Sequence, residues 1–408
     1  HHGVSVSNAF MRAVEADDEW PLTSPHDGAV QKTVGARELW IRILTARIET
    51  GEPYILNIDH VNDATPEHHK IAGLAVKTSN LCCEITLPTG IDHLGEQRTA
   101  VCCLSSINLE KYDEWKDDDL FIEDMMRFLD NVLQDFIDRA PDTMSRAKYA
   151  AMRERSVGLG AMGFHSFLQD RMIPFESVMA QVWNKKIFNH IKVGVDKASV
   201  KLAHEKGACP DAADYGMMER FSNKTAIAPT ASISTICGGA SPGIEPIAAN
   251  SYTQKTLSGS FNVRNRALKI LLEEKGKNTE EVWSAITING GSVQHLDFLD
   301  DLEKDVFKTA FELDQRWVVE HSADRAPMVD QAQSVNVFLP ADVNKRDLHQ
   351  VHYQAWKKGL KSLYYCRSLS IQRAESSDTS SEGAKEEMLK AMAKAQESSD
   401  YEECLSCQ

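Results

Sequence analysis

Long helical periods alternate with short apolar runs along most of this chain, and that alternation leaves few folds open. Glu38 to Glu49, ELWIRILTARIE, has helical spacing and stops at Gly51. PYILNIDHVN follows, and its apolar start predicts a short buried strand. Asp119 to Ala140 and Val178 to Gly207 predict two long amphipathic helices, with Gly207 as the stop of the second. Thr225 to Pro246 begins as an apolar strand and becomes a loop of small hydroxyl residues. Gln333 to Pro340 predicts another buried strand. A helix then leads into a last apolar strand at Leu363 to Cys366. The pattern predicts an α/β fold with parallel strands.

The formal net charge is -15, which argues against a broad surface for nucleic acid or anionic membrane. No run of about eighteen apolar residues is present, so no helical membrane span is expected. Nine cysteines, an odd count without a secretion signal, point to a reducing compartment rather than a disulfide scaffold. The composition changes after about Ala374. AESSDTSSEGAKEEMLKAMAKAQESSDYEECLSCQ is too polar to offset its ordering entropy, apart from one exposed helix expected within Gly383 to Gln396. It ends in Cys404 and Cys407, a CxxC pair on a flexible tether. A structural zinc needs four ligands and no second pair lies nearby, so a dithiol that shuttles reducing equivalents is the better reading.

Asn80, Cys82 and Glu84 fall at alternate positions of SNLCCEITLPTG. In an extended chain their side chains share one face and Cys83 points the other way. A carboxylate beside a thiol opposes thiolate formation. That argues against a papain-like nucleophile, which needs a histidine partner. A neutral thiol beside a base and an amide suits a different task. The thiol exchanges a hydrogen atom, the carboxylate takes a hydroxyl proton, and the amide orients hydroxyls. In AVCCLSSINL a second cysteine pair reads first as small hydrophobes. APTASISTICGGASPGIEP offers backbone N–H groups and hydroxyls to a phosphate, without the GK[ST] of a Walker loop. In a strand, Tyr364 and Tyr365 of LYYC face opposite sides; phenols in contact would relay an electron and a proton.

Taken in order, SNLCCEITLPT, VCCLSSINL, APTASIST with GIEP, LKSLYYCR and the terminal CxxC resemble the large catalytic subunit of class I ribonucleotide reductase. TGEPYILNIDHVN and DQRWVVEHSADRAPMVDQAQSVNVFLP also look like segments of that family. The resemblance implies the C-terminal half of a ten-stranded α/β barrel with a central finger loop, plus a flexible tail. Residues 1–78 would lead into the barrel, 79–375 would form the finger loop and the second half of the barrel, and 376–408 the redox tail.

By the same resemblance, Cys82 becomes a thiyl radical that abstracts the 3′ hydrogen of the ribose. Glu84 acts as base on the 3′ hydroxyl, and Asn80 hydrogen-bonds the substrate hydroxyls. Cys102 helps reduce the 2′ position and ends in a disulfide. Ser79, Thr230, Ala231, Ser232, Ile233 and Ser234 hold the substrate. Tyr364 and Tyr365 pass the radical inward, and Cys404 and Cys407 re-reduce the site. The implied partners are the N-terminal half of the large subunit, a radical-generating small subunit, thioredoxin or glutaredoxin, and a ribonucleoside diphosphate. No nucleic acid or membrane is expected. No cofactor or metal is expected in this chain; the metal or radical cofactor belongs to the small subunit. A cytoplasmic place is implied, or the host cytoplasm for a viral source.

Departures from the family pattern matter too. The portion expected before FMRAVEADDEWPLTSP, with the cysteine that pairs with Cys102, is missing, so a split or excised subunit is expected. Cys103 is a poor substitute because a vicinal disulfide is strained, and Cys83 reads as a packing residue. Two rivals stand beside this reading. An adenosylcobalamin-dependent reductase would share the barrel but needs no tyrosine pair. A non-catalytic remnant has no use for Asn80, Cys82, Glu84 and the terminal CxxC.

Overall fold

A computed structural model describes residues 2–256, 259–340 and 342–368. Its strands are short and its helices long. In chain order the elements that position the site are β1 (Gly3–Val6), α1 (Ala36–Thr50), β2 (Tyr54–Asn57), β3 (Leu104–Asn108), α2 (Phe121–Arg139), β4 (Gly158–Met162) and α3 (Val178–Lys206). They continue with α4 (Ala231–Ile236), α5 (Gln315–Arg325), β5 (Val337–Leu339), α6 (Lys345–Lys357), β6 (Ser362–Leu363) and β7 (Cys366–Ser368).

The helices end where their chemistry dictates. Gly51 closes α1 at a left-handed φ of 83°, and its N–H bonds the carbonyl of Arg47. Ser177 caps α3, its hydroxyl accepting from the N–H of Ala180, and Gly207 stops it. Along α2, Ile122, Met126, Leu129, Leu133 and Ile137 recur every three or four residues and form the buried face. That face packs on α3, and the two helices approach closely at Gly194. A Cβ there would lie 2.6 Å from Ile122 Cδ1, so any larger residue would force the Ile122 side chain to shift. Behind the helices lies one large core that includes Trp40, Phe164, Phe167 and Phe175, each at most 1% exposed. Burying each phenylalanine ring contributes about 1.5–3 kcal/mol.

The strands form an open arc. β1 runs parallel to β2, and β6 lies antiparallel on the other side of β2. β7 pairs in parallel with β5, and the Tyr364 N–H donates to the carbonyl of Val335. Parallel bridges join Ile227 to Gln333 and Leu159 to Thr225, and β4 runs parallel to β3. Among the described residues nothing pairs with the outer edge of β1 or of β3, so the arc does not close. At Gly160 the arc tightens. A Cβ there would overlap the carbonyl oxygen of Ala226, which is why the strand reads GLGAM.

Two strand predictions are corrected here. Thr225 to Ile227 makes isolated bridges instead of a strand, because Pro229 ends the run before a ladder can grow. Leu363 to Cys366 is not one strand either. β6 pairs with β2 and β7 with β5, so the backbone changes partner between them and Tyr364 and Tyr365 occupy the switch. The helix expected within Gly383 to Gln396 lies outside the described residues. No helix among the described residues is long and apolar enough to cross a membrane.

Candidate active site

Residues 79–87 pack against residues 331–334 as a turn, and this corrects the expectation of an extended chain. The Cys83 N–H donates to the Asn80 carbonyl at 3.2 Å, and Cys83 takes a left-handed φ of 68°. A non-glycine residue there is held in a costly conformation that its surroundings must enforce. They do so from both ends. Asn80 Oδ1 accepts from the Ile85 N–H at 3.1 Å, and the Ala332 N–H donates to the Glu84 carbonyl at 2.9 Å. Gln331 Oε1 accepts from the Thr86 N–H at 3.1 Å.

Asn80 and Glu84 still converge, through the turn instead of through alternation. Glu84 is fully buried. Its Oε2 lies 3.1 Å from the Ser334 hydroxyl, which is 2.5 Å from the Cys82 carbonyl. A hydroxyl has one proton to give. With Glu84 protonated, the acid donates to Ser334 and Ser334 donates to Cys82. Burial raises the Glu84 carboxyl above its ordinary range, while Asn80, its own backbone and Ser334 pull it back. Glu84 Oε1 and Asn80 Nδ2 are buried and make no hydrogen bond of normal geometry. They are suited to hydroxyls brought by a ligand.

Cys82 is 4% exposed and packs in one cluster with Cys83, Tyr364, Tyr54 and Tyr365. The Tyr364 phenol is pushed up by burial and by its contacts with Tyr365 and Cys82. The two tyrosine rings do not face opposite sides. Their centroids lie 4.0 Å apart at 41°, because the switch between β6 and β7 frees the backbone from strand alternation. Cys83 is fully buried, and burial followed by the Glu84 charge raises its thiol well above the ordinary value.

The remaining predicted residues surround this centre. Cys102 is exposed, just ahead of β3, and its neighbours Ala100 and Leu104 pack against Ile85, Leu87 and Ala226. Cys103 is buried, with its thiol raised to about 11 by burial. Ser79 is half-buried and its hydroxyl donates to the Asn80 carbonyl. Thr230 is buried and holds the Gly243 N–H at 2.7 Å. Ala231, Ser232 and Ile233 are exposed on the short helix α4, while Ser234 is buried and bonds back to the Ala231 carbonyl. Cys404 and Cys407 lie outside the described residues.

Sequence reasoning missed Ser334, Asn336 and Glu245. Asn336 Oδ1 accepts from the Tyr365 N–H at 3.0 Å, and its Nδ2 donates to Glu245 Oε1 at 2.7 Å. The available signal was polarity at period two, Ser334 and Asn336 inside an apolar run.

Residues 1–215 and 211–366 match the family model for the ribonucleotide reductase barrel domain. The chain is 46% identical over 366 residues to the ribonucleoside-diphosphate reductase large subunit of Invertebrate iridescent virus 3, covering 89% of this chain and 57% of that protein. It is 47% identical over 371 residues to a putative large subunit from Frog virus 3, covering 90% and 64%. The large subunit of Caenorhabditis elegans is 30% identical over 418 residues, covering 89% and 52%. Among solved structures, the class Id ribonucleotide reductase alpha subunit of Actinobacillus ureae superposes with a TM-score of 0.80 at 37% identity, covering 92% of this chain and 66% of that one. The chain thus spans about half to two thirds of the length of these relatives.

Proposed function

The chain belongs to the ribonucleotide reductase barrel-domain family, and from that premise we propose that it is the C-terminal catalytic part of a ribonucleoside-diphosphate reductase. The observation that carries this reading is the convergence of Asn80, Glu84 and the Cys82–Tyr364–Tyr365 cluster at one turn. In the reaction, Cys82 as a thiyl radical takes the 3′ hydrogen atom: the S–H bond forms, the C3′–H bond breaks, and the radical passes to the ribose. Glu84 accepts the 3′-hydroxyl proton, which requires it to be ionised at that moment. Its buried, raised carboxyl is a better base than an ordinary carboxylate. Asn80 Nδ2 donates to the ribose hydroxyls.

Cys102 and a cysteine of the N-terminal part supply the two electrons that reduce C2′, leaving a disulfide as the 2′ oxygen departs as water. Cys404 and Cys407 reduce that disulfide and are reduced in turn by thioredoxin or glutaredoxin. Tyr365 and Tyr364 carry the radical from a small subunit whose metal cofactor generates it. Thr230 and the first residues of α4, Ala231, Ser232, Ile233 and Ser234, hold the diphosphate. The unpaired edges of β1 and β3 suit an N-terminal half that completes the barrel.

The test is turnover by this chain assembled with the remaining large-subunit portion and a small subunit. Cys82→Ser is expected to abolish deoxynucleotide formation while nucleotide binding persists. Continued turnover by that variant would falsify the thiyl mechanism.

A further inference from the structure

Two buried polar side chains stand between the hydroxyl-rich loop and the tyrosine pair, and the chemistry above uses neither. Thr230 holds the N–H of Gly243 through its hydroxyl at 2.7 Å. Gly243 has a left-handed φ of 52°, and a Cβ there would press on the Ala228 carbonyl at 3.1 Å. The backbone at 243–245 is therefore seated on residues 228–230. Glu245, two residues on, is 5% exposed and accepts from Asn336 Nδ2 at 2.7 Å. Asn336 is 2% exposed, and its other side-chain atom accepts the N–H of Tyr365 at 3.0 Å.

Asn336 has no freedom to relax alone. It immediately precedes β5, whose first residue, Val337, is in register with Cys366, and the Val337 N–H donates to the Tyr365 carbonyl at 3.0 Å. The Tyr365 backbone is thus gripped by residues 336 and 337, and one of those grips extends to Glu245. The surrounding charge is sparse. Arg367 acts on Glu245 through its field and stands 5.5 Å from the centroid of the Tyr365 ring. Burial raises the Glu245 carboxyl to about 7.

We propose that Glu245 and Asn336 are positioning residues that transmit occupancy of the Thr230–Ser234 loop to Tyr365, so that a bound nucleoside diphosphate sets the geometry of the tyrosine pair. This rests on the function proposed above. It requires a coupling between two sites, which must be measured as one.

The experiment uses the assembled large subunit carrying 3-fluorotyrosine at position 365, followed by fluorine NMR during titration with cytidine diphosphate. In the unsubstituted protein the resonance is expected to shift and to saturate with binding. Glu245→Ala is expected to lose the shift while cytidine diphosphate affinity changes by less than about threefold, well below typical site-to-site couplings. Glu245→Gln keeps an oxygen for Asn336 and is expected to keep the shift. Asn336→Leu keeps roughly the side-chain shape but removes both the acceptor for Tyr365 and the donor toward Glu245, so it should also lose the shift. A shift that persists in Glu245→Ala or Asn336→Leu overturns the proposal, as does an unsubstituted protein that binds without any shift. Failure of the unsubstituted protein to bind cytidine diphosphate would instead strike the reductase reading on which the proposal stands.

Discussion

Two sets of buried carboxylates sit in opposite surroundings. In the helix-packed part, Asp130 lies 2.6 Å from Arg155, 2.9 Å from Arg220 and 2.9 Å from Lys206. Asp211 accepts two bonds from Arg98, at 2.5 and 2.9 Å, and one from Arg153 at 2.8 Å. Beside residues 334–336, Glu84 and Glu245 are also buried, yet hydroxyl and amide groups are their hydrogen-bond partners. Burial pushes all four carboxyls up. For the aspartates, facing arginines reverse the outcome and hold them below the ordinary range. For the glutamates nothing reverses it, and they end above it. Equal burial therefore ends in opposite shifts, and the arginine opposite decides which. The paired acids fix helices to one another. The two glutamates, bonded to a hydroxyl and an amide, keep raised carboxyls.

The contrast is sharpest if each set is broken separately. Glu84→Gln keeps shape and most hydrogen bonds but cannot take a proton. Deoxynucleotide formation by the assembled enzyme is expected to fall about 10²–10⁴-fold, the usual worth of a positioned base. Its denaturant midpoint should hardly move. A variant with near-normal turnover would remove Glu84 from the reaction.

Asp130→Ala should do the reverse. It leaves Arg155 and Arg220 buried without their carboxylate, at a cost of about 3–5 kcal/mol in unfolding free energy. Urea titration of the assembled protein reads it. A loss under about 1 kcal/mol would place this cluster with ordinary surface pairs.

Glu154 tests the rule itself, with the smallest effect. It lies 1% exposed near the arginine-rich cluster, yet burial raises its carboxyl to about 8, because the pull of Arg98 is opposed by Asp211. Its folded pKa is above its unfolded value. Its contribution to stability is therefore complete below the unfolded value of 4.5 and is lost as pH rises to about 8. Glu154→Gln should flatten that part of the stability profile, measured by thermal melts between these limits. An unchanged slope would mean that Glu154 is ionised in the fold.

The long helices were legible because their signals are local. Gly51 and Gly207 end α1 and α3 where glycine stops were expected, and the face of α2 repeats every three or four residues. The arc was legible only as parallel α/β, since which strands pair depends on residues far apart in the chain. Tyr364 and Tyr365 show the limit well. Strand alternation separates them, but two different strand partners meet at that point and the rings lie against each other, tilted by 41°. The turn at Cys83 was hidden for a related reason. Nothing in the residue type announces a left-handed φ; contacts from Gln331 and Ala332 impose it. Ser334 and Asn336 escaped notice because a strand that reads as apolar gave no reason to ask where its polar side chains point.

The arc also has a schedule. Asn57, at the end of β2, donates its side chain to the carbonyl of Leu360 across 303 residues of sequence, and β6 then lies along β2. Contacts of that separation form late, after most of the chain has left the ribosome. Until then β2 has β1 on one side and an exposed edge on the other. Folding of this catalytic face is thus sealed by one of its most distant segments, the same one that carries both tyrosines.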